Sequence, residues 1–151
     1  MDFAKKYRNW SVEDWKKVIW SDESKFMLFG SDGRQYCWKK PGEPLRSPHV
    51  KPTVKFGGGN IMVWGCFSAK GLGPLVRIEG KMNHKDYINI LEDNLLPFIQ
   101  ENYSTNHYKF QDDNAPVHTA KNVKKWMSEK GLILLEDWPS QSPDLNIVKR
   151  L

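Results

Sequence analysis

Apolar residues fall in short blocks whose spacing changes character along the chain. From Lys17 to Asp22, Val18, Trp20 and Asp22 take one side of an alternation and Ile19, Ser21 and Glu23 the other. That is the period of a strand. Just upstream, Ser11 and Asp14 stand three positions apart, a capping pair that predicts a short helical turn. Downstream, "FMLFG" and "QYCWK" flank Asp32-Gly33 and predict a β-hairpin. "PGEPLRSPHVKP" has no periodicity and predicts an extended loop.

Beyond that loop, Ile61 to Phe67 is nearly continuously apolar, as in a strand covered on both faces. "GLGP" predicts a turn into a second strand, "LVRIE". Asn83 and Asp86 form another cap pair, followed at helical spacing by Tyr87, Ile88, Leu91, Leu95, Phe98 and Ile99. Pro97 should kink or split that helix. The next units are a strand at "YKFQDD", a helix from Pro116 to about Gly131 and a buried strand at "LILLED". Early strands joined by tight turns, then strand, helix, strand, predict an α/β domain with one mixed sheet and helices packed on its faces.

Composition narrows this only a little. Of 151 residues, 39% are hydrophobic, enough for one core in one domain. The net charge of +5 permits an anionic partner such as nucleic acid. Lys5, Lys6, Lys16, Lys17, Lys39, Lys40, Lys124 and Lys125 are candidates for phosphate contacts, although for any single one of them solvated surface is the favoured explanation. Cys37 and Cys66 lack the spacing of a zinc site or a disulfide framework, which fits a reducing, intracellular setting. No stretch resembles a secretory signal or is long enough to span a bilayer, so no membrane role is expected. Gly57, Gly58 and Gly59 lack the GK[ST] continuation of a phosphate loop and are expected to form a turn.

The candidate chemistry is acidic. Asp22 and Asp113 each follow an apolar strand, where a carboxylate is costly unless something neutralises it. A hard divalent cation would do so. Capping of a turn by Asp113-Asn114 is the competing explanation. Strand alternation lets only one of Asp22 and Glu23, and one of Asp112 and Asp113, point into a shared site.

"WSDESKF", "QDDNAPVHTA" and "DWPSQSPDLN", in this order, resemble the catalytic domain of Tc1/mariner-type DNA transposases, closest to the Tc1-like branch. The likeness runs from about Phe3 to Asn146. It implies an RNase H-like fold with a mixed five-stranded sheet, helices on both faces and a truncated final helix. It implies a linker remnant over 1–16, a DDE catalytic domain over 17–151, and no helix-turn-helix modules. Asp22 and Asp113 are then the first two catalytic acids and metal ligands, and His118 and Asn114 stand behind them or on the substrate side, with a structural histidine at a helix start as the other reading of His118. The implied chemistry is two-metal cleavage of DNA and strand transfer with Mg²⁺, or Mn²⁺ in its place. Transposon ends and target DNA are the implied partners, with a homodimer possible and the nucleus as the site of action.

The resemblance fails after Asn146, where Ile147, Val148 and Lys149 stand in place of the family's Pro, apolar residue and Glu, at a separation one residue longer than usual. Aligned through "SPDLN", the family's third acid falls on Lys149, whose ammonium carries donors only and cannot ligate Mg²⁺. Asp144, Glu136 and Asp137 are the carboxylates that could substitute. The expectation is an impaired enzyme, with a non-catalytic DNA-binding or dimerising remnant as the alternative.

Overall fold

The structure is a computed structural model that describes residues 2–27, 41, 42, 44, 59–104, 107–139 and 142–150. The hairpin expected around Asp32-Gly33, the proline-rich loop apart from 41, 42 and 44, and Gly57 and Gly58 lie outside the described residues.

The chain opens with two short helices, α1 (Asp2–Tyr7) and α2 (Val12–Trp15). The capping pair forms as expected: the Ser11 hydroxyl accepts from Asp14 N–H at 3.2 Å, and the Asp14 carboxylate accepts from Ser11 N–H at 3.1 Å. Strand β1 (Val18–Met27) follows. It does not stop at Asp22. Extended backbone continues five residues further, because sheet pairing outweighs the turn-forming tendency of "SDES". Asp22 is therefore in the interior of a strand, and burial falls away only beyond it.

Strands β2 (Asn60–Ser68) and β3 (Gly71–Ile78) pair antiparallel from Met62↔Ile78 to Ser68↔Gly71, with an irregularity between Gly65 and Phe67. Their turn is Ala69-Lys70, so "GLGP" lies inside β3 rather than forming the turn. Gly73 is needed there for contact: a Cβ would sit 2.5 Å from Cys66 Sγ and 2.9 Å from its carbonyl oxygen.

Helix α3 (His84–Ile90) starts on the expected Asn83/Asp86 capping box. It continues as a π turn, Leu91–Leu95, and then as α4 (Leu96–Asn102) with Pro97 in its first turn. Proline has no N–H to donate and crowds the carbonyl four residues back. The wider turn accommodates it without breaking the helical rod. Strand β4 (Lys109–Phe110) pairs parallel to β1 through Val18↔Lys109 and Ile19↔Phe110. Helix α5 (Lys121–Glu129) begins five residues after Pro116, because 116–119 form a separate turn. It ends at Gly131, whose φ of 68° suits a residue without a Cβ.

The strand order is β3-β2-β1-β4. The sheet thus has four strands among the described residues, not the expected five. "LILLED" reaches β4 at one parallel bridge, Phe110↔Leu134, held by Phe110 N–H to Ile133 O at 2.7 Å and Leu135 N–H to Phe110 O at 2.8 Å. The ladder cannot lengthen. On one side the backbone leaves the sheet after Phe110, and on the other it turns at Glu136-Asp137, with Asp137 at φ 56°.

The alternation in β1 does sort the core. Ile19 packs with Trp64, Tyr87, Leu91, Leu95, Phe110, Val123 and Met127, so α3 to α5 cover one face. Val18 and Trp20 pack with Tyr7, Leu135 and Trp138, with Phe3, Trp10 and Trp15 against them, so α1 and α2 cover the other. Two compact units divide the chain, 1–24 with 62–151, and 25–61. Asp22, Asp113, Asn114, His118 and Lys149 all lie in the first.

Candidate metal centre

The centre is built where the parallel β1–β4 pairing gives way to side-chain bonding. Gln111 N–H still donates to Ile19 O at 2.9 Å. One step on, the Ser21 hydroxyl donates to Gln111 O at 3.0 Å, and Ser21 N–H donates to Gln111 Oε1 at 3.2 Å. Side-chain bonds thus take over from backbone pairing just where Asp22 and Asp112-Asp113 follow.

Asp22 is buried, 6% exposed. Its Oδ1 accepts from Glu23 N–H at 2.9 Å and lies 3.5 Å from Lys149 Nζ. Burial raises its carboxyl above the ordinary range, although the Lys149 charge and the Glu23 N–H oppose the rise. The neighbouring charges of Glu23 and Asp113 push it further up.

Asp113 does cap a turn, since its Oδ1 accepts from Ala115 N–H at 2.9 Å. It also faces His118 Nδ1 at 2.9 Å, so capping and site roles do not exclude each other. His118 holds it below the ordinary range, against burial. Asn114, at φ 61°, turns away and donates from Nδ2 to Trp138 O at 2.8 Å, tying this loop to the segment after the Leu134 bridge.

His118 is the hub. It is 4% exposed and stacks on buried Tyr87 with ring centroids 3.9 Å apart and planes 13° off parallel. Nδ1 is 2.6 Å from Asp112 Oδ1, and Nε2 is 3.4 Å from Glu23 Oε1. Burial disfavours the imidazolium, but the carboxylates of Asp112, Asp113 and Glu23 outweigh it and push His118 up to about 11. The expectation that one of Asp112 and Asp113 must point away is overturned. Residues 111–115 are not strand, so strand alternation does not govern them.

Ligand atoms of Glu23, Asp113 and His118 lie within 4.8 Å of one another. Glu23 Oε1 and His118 Nε2 are buried without a hydrogen-bond partner. Asp22 adjoins this group on β1. Carboxylate oxygens dominate, and Glu23 Oε1, buried with its ion pair to His118 but no hydrogen bond, suits a hard dication such as Mg²⁺ or Mn²⁺. An open cleft of about 270 Å³ lies alongside, bounded by Asp113, Trp138, Ser142, Pro143, Asn146 and Lys149.

The substitute carboxylates lie elsewhere. Glu136 and Asp137 are exposed and bind Lys6 Nζ at 2.5 and 2.7 Å, and Asp144 is exposed. Glu23 and Asp112, which alternation would have set against their neighbours, both reach His118. Three supporting residues went unnoticed in the sequence. Tyr87 reads only as a core position, Gln111 carries no pattern, and Asn146 stands out only as part of "DLN".

Residues 17–151 match the family model described as DDE superfamily endonuclease. The chain is 45% identical over 149 residues to the Tc1 transposase of Caenorhabditis elegans, covering 99% of this chain and 54% of that protein. It is 44% identical over 151 residues to the Tcb1 transposase of Caenorhabditis briggsae, covering 55% of that protein. The chain thus spans about half the length of these relatives. Among solved structures, a Mos1 transposase paired-end complex with left transposon end superposes with a TM-score of 0.67 at 21% identity, over 96% of this chain and 41% of that one. The catalytic domain of Mos1 mariner transposase gives 0.63 at 18%, over 96% and 59%. These likenesses fix the fold as RNase H-like. The family match and the alignment of nearly this whole chain to Tc1 establish that the chain belongs to the DDE superfamily and to the Tc1-like branch of the Tc1/mariner transposases.

Proposed function

We propose that this domain catalyses metal-dependent phosphoryl transfer on DNA, with Asp22 and Asp113 as the principal carboxylate ligands and Glu23 at the edge of the same centre. The observation that carries this reading is the gathering of Glu23, Asp113 and His118 within ligand reach of one another, with Asp113 on an open cleft and buried Asp22 next to Glu23 on β1, close enough for the Asp113 charge to bear on it. Bound Mg²⁺ or Mn²⁺ would supply Lewis-acid stabilisation of the attacking and leaving oxygens of a phosphodiester. The relatives' names and the Mos1 complexes with Mn and with Mg support this choice of chemistry and ion.

The chain's own residues orient and tune. His118 holds Asp113 and Glu23 in place, Tyr87 fixes the ring plane of His118, and Asn114 anchors the Asp113 loop to Trp138 O. The cleft admits the substrate backbone. The substrates would be transposon ends and target DNA, the site of action the nucleus, and two copies would act together on paired ends.

Lys149 lowers that activity. It brings a cation to Asp22 where the family motif brings a carboxylate. The same contact favours the second reading, a fold that binds DNA without cutting it. Incubation of supercoiled plasmid with the purified domain and Mn²⁺ separates the two. Slow nicking abolished by Asp22→Ala supports the enzyme. Salt-sensitive binding with no nicking supports the remnant.

A further inference from the structure

Lys149 is held in place by more than its own ion pair. Asn146 is 2% exposed, and its Nδ2 donates to Ser21 O at 3.2 Å, next to Asp22 on β1. Its Oδ1 accepts from Val148 N–H at 3.1 Å, and its carbonyl accepts from Lys149 N–H at 3.2 Å, within the 3₁₀ turn Ile147–Arg150. Val148 packs against the cluster of Tyr7, Val18, Trp20, Leu135 and Trp138. One buried amide and one apolar side chain thus fasten the turn to the strand that carries Asp22. From that turn the Lys149 side chain lines the cleft beside Asp113, and its Nζ stands 3.5 Å from Asp22 Oδ1. The ammonium therefore stands against Asp22, and its charge also reaches Asp113 on the shared cleft.

We infer that Lys149 is a tethered cation that occupies the electrostatic position of the metal, neutralising Asp22 and Asp113 in its absence and competing with it for them. This rests on the reading of Asp22 and Asp113 as metal ligands, and it goes further than the loss of a third ligand. A missing ligand and a competing charge make different demands. If Lys149 were merely a lost ligand, a neutral residue of the same size would change nothing, because it too contributes no carboxylate. If it competes, removing the charge alone strengthens metal binding, because a dication no longer meets a like charge across Asp22. Lysine is suited to such a role. Its head is a compact charge on a flexible stem, and this one is 40% exposed, so it can swing into solvent when a dication arrives.

Calorimetric titration of the domain with Mn²⁺, free of DNA, decides the matter. Parent, Lys149→Arg, Lys149→Gln and Lys149→Glu are compared, with Asp22→Asn as the control for the site itself. The expected result is weak binding in the parent and in Lys149→Arg, tightening by roughly tenfold in Lys149→Gln, further tightening in Lys149→Glu, and loss in Asp22→Asn. Where Lys149→Gln is too unstable without metal for titration, the melting temperature as a function of Mn²⁺ concentration gives the same answer: the charge-free variant gains more per increment of the ion than Lys149→Arg does. Equal affinities in parent and Lys149→Gln, with Lys149→Glu tighter, overturn the competing-cation role and leave the metal centre standing. No binding in any variant, Lys149→Glu included, overturns both.

Discussion

Lys6 and Lys149 meet carboxylates in two places that look alike in a list of ion pairs and behave in opposite ways. Lys6 reaches Glu136 and Asp137 at 2.5 and 2.7 Å, in solvent. Lys149 approaches Asp22 at 3.5 Å, and the carboxylate there is nearly sealed from water. At the first pair Lys6 pulls Glu136 below the ordinary carboxylate range. At the second, burial raises Asp22 despite the lysine. Proximity of opposite charges sets the sign in water, while desolvation sets it in the interior. The first pair joins α1 to the chain after the Leu134 bridge and is worth little, as exposed pairs are. The second places an acid where only a cation makes it comfortable, and such a place is suited to chemistry.

The contrast can be broken most severely at the buried end. Asp22→Asn is expected to lower Mn²⁺-dependent plasmid nicking by at least about 100-fold, while Glu136→Gln leaves the rate unchanged. Equal losses in the two variants would show that burial does not separate them. The same Asp22→Asn variant, without metal, should be at least as stable as the parent at neutral pH by urea denaturation. The folded state raises the Asp22 pKa, so the parent loses stability as pH climbs from the unfolded value of 3.8 through the folded one, and asparagine has no such loss.

His118→Ala comes next. It leaves Glu23, Asp112 and Asp113 facing one another around a vacated hub, with an expected cost of about 3 kcal/mol in urea denaturation. Mn²⁺ should recover part of that cost. The hub also predicts an alkaline limit. His118 titrates at about 11 in the folded chain against an ordinary 6.5, so its contribution is complete below pH 6.5 and is lost as pH rises towards 11. The stability difference between parent and His118→Gln should therefore shrink across that interval, and a constant difference would remove His118 from the centre of the cluster. The smallest effect belongs to the exposed pair. Lys6→Ala should leave the denaturation midpoint indistinguishable from the parent, and what it does change should vanish in high salt.

Much of the frame is written locally, because its signals act over a few residues. The Ser11/Asp14 and Asn83/Asp86 capping boxes form as spaced, Gly131 closes α5, and the alternation of Val18, Ile19 and Trp20 assigns each to its side of the sheet. Where local signals misled, longer-range pairing had overridden them. "SDES" looks like a stop and is strand interior. "LILLED" looks like a full strand and reaches its neighbour at one bridge, because β4 is only two residues long.

The order of residues was sufficient to place the family, to single out Asp22 and Asp113 as candidate acids and to mark Lys149 as the misfit, because motif identity and spacing are properties of the chain alone. It could not say that Asp112 and Asp113 would share one imidazole, that Tyr87 would lie flat against it, or that Asn146 would pin Lys149 over Asp22. Those relations join residues 31 positions apart in one case and 125 in another. They exist only once the core has closed, because it is exclusion of water that makes a buried carboxylate seek a cation at all.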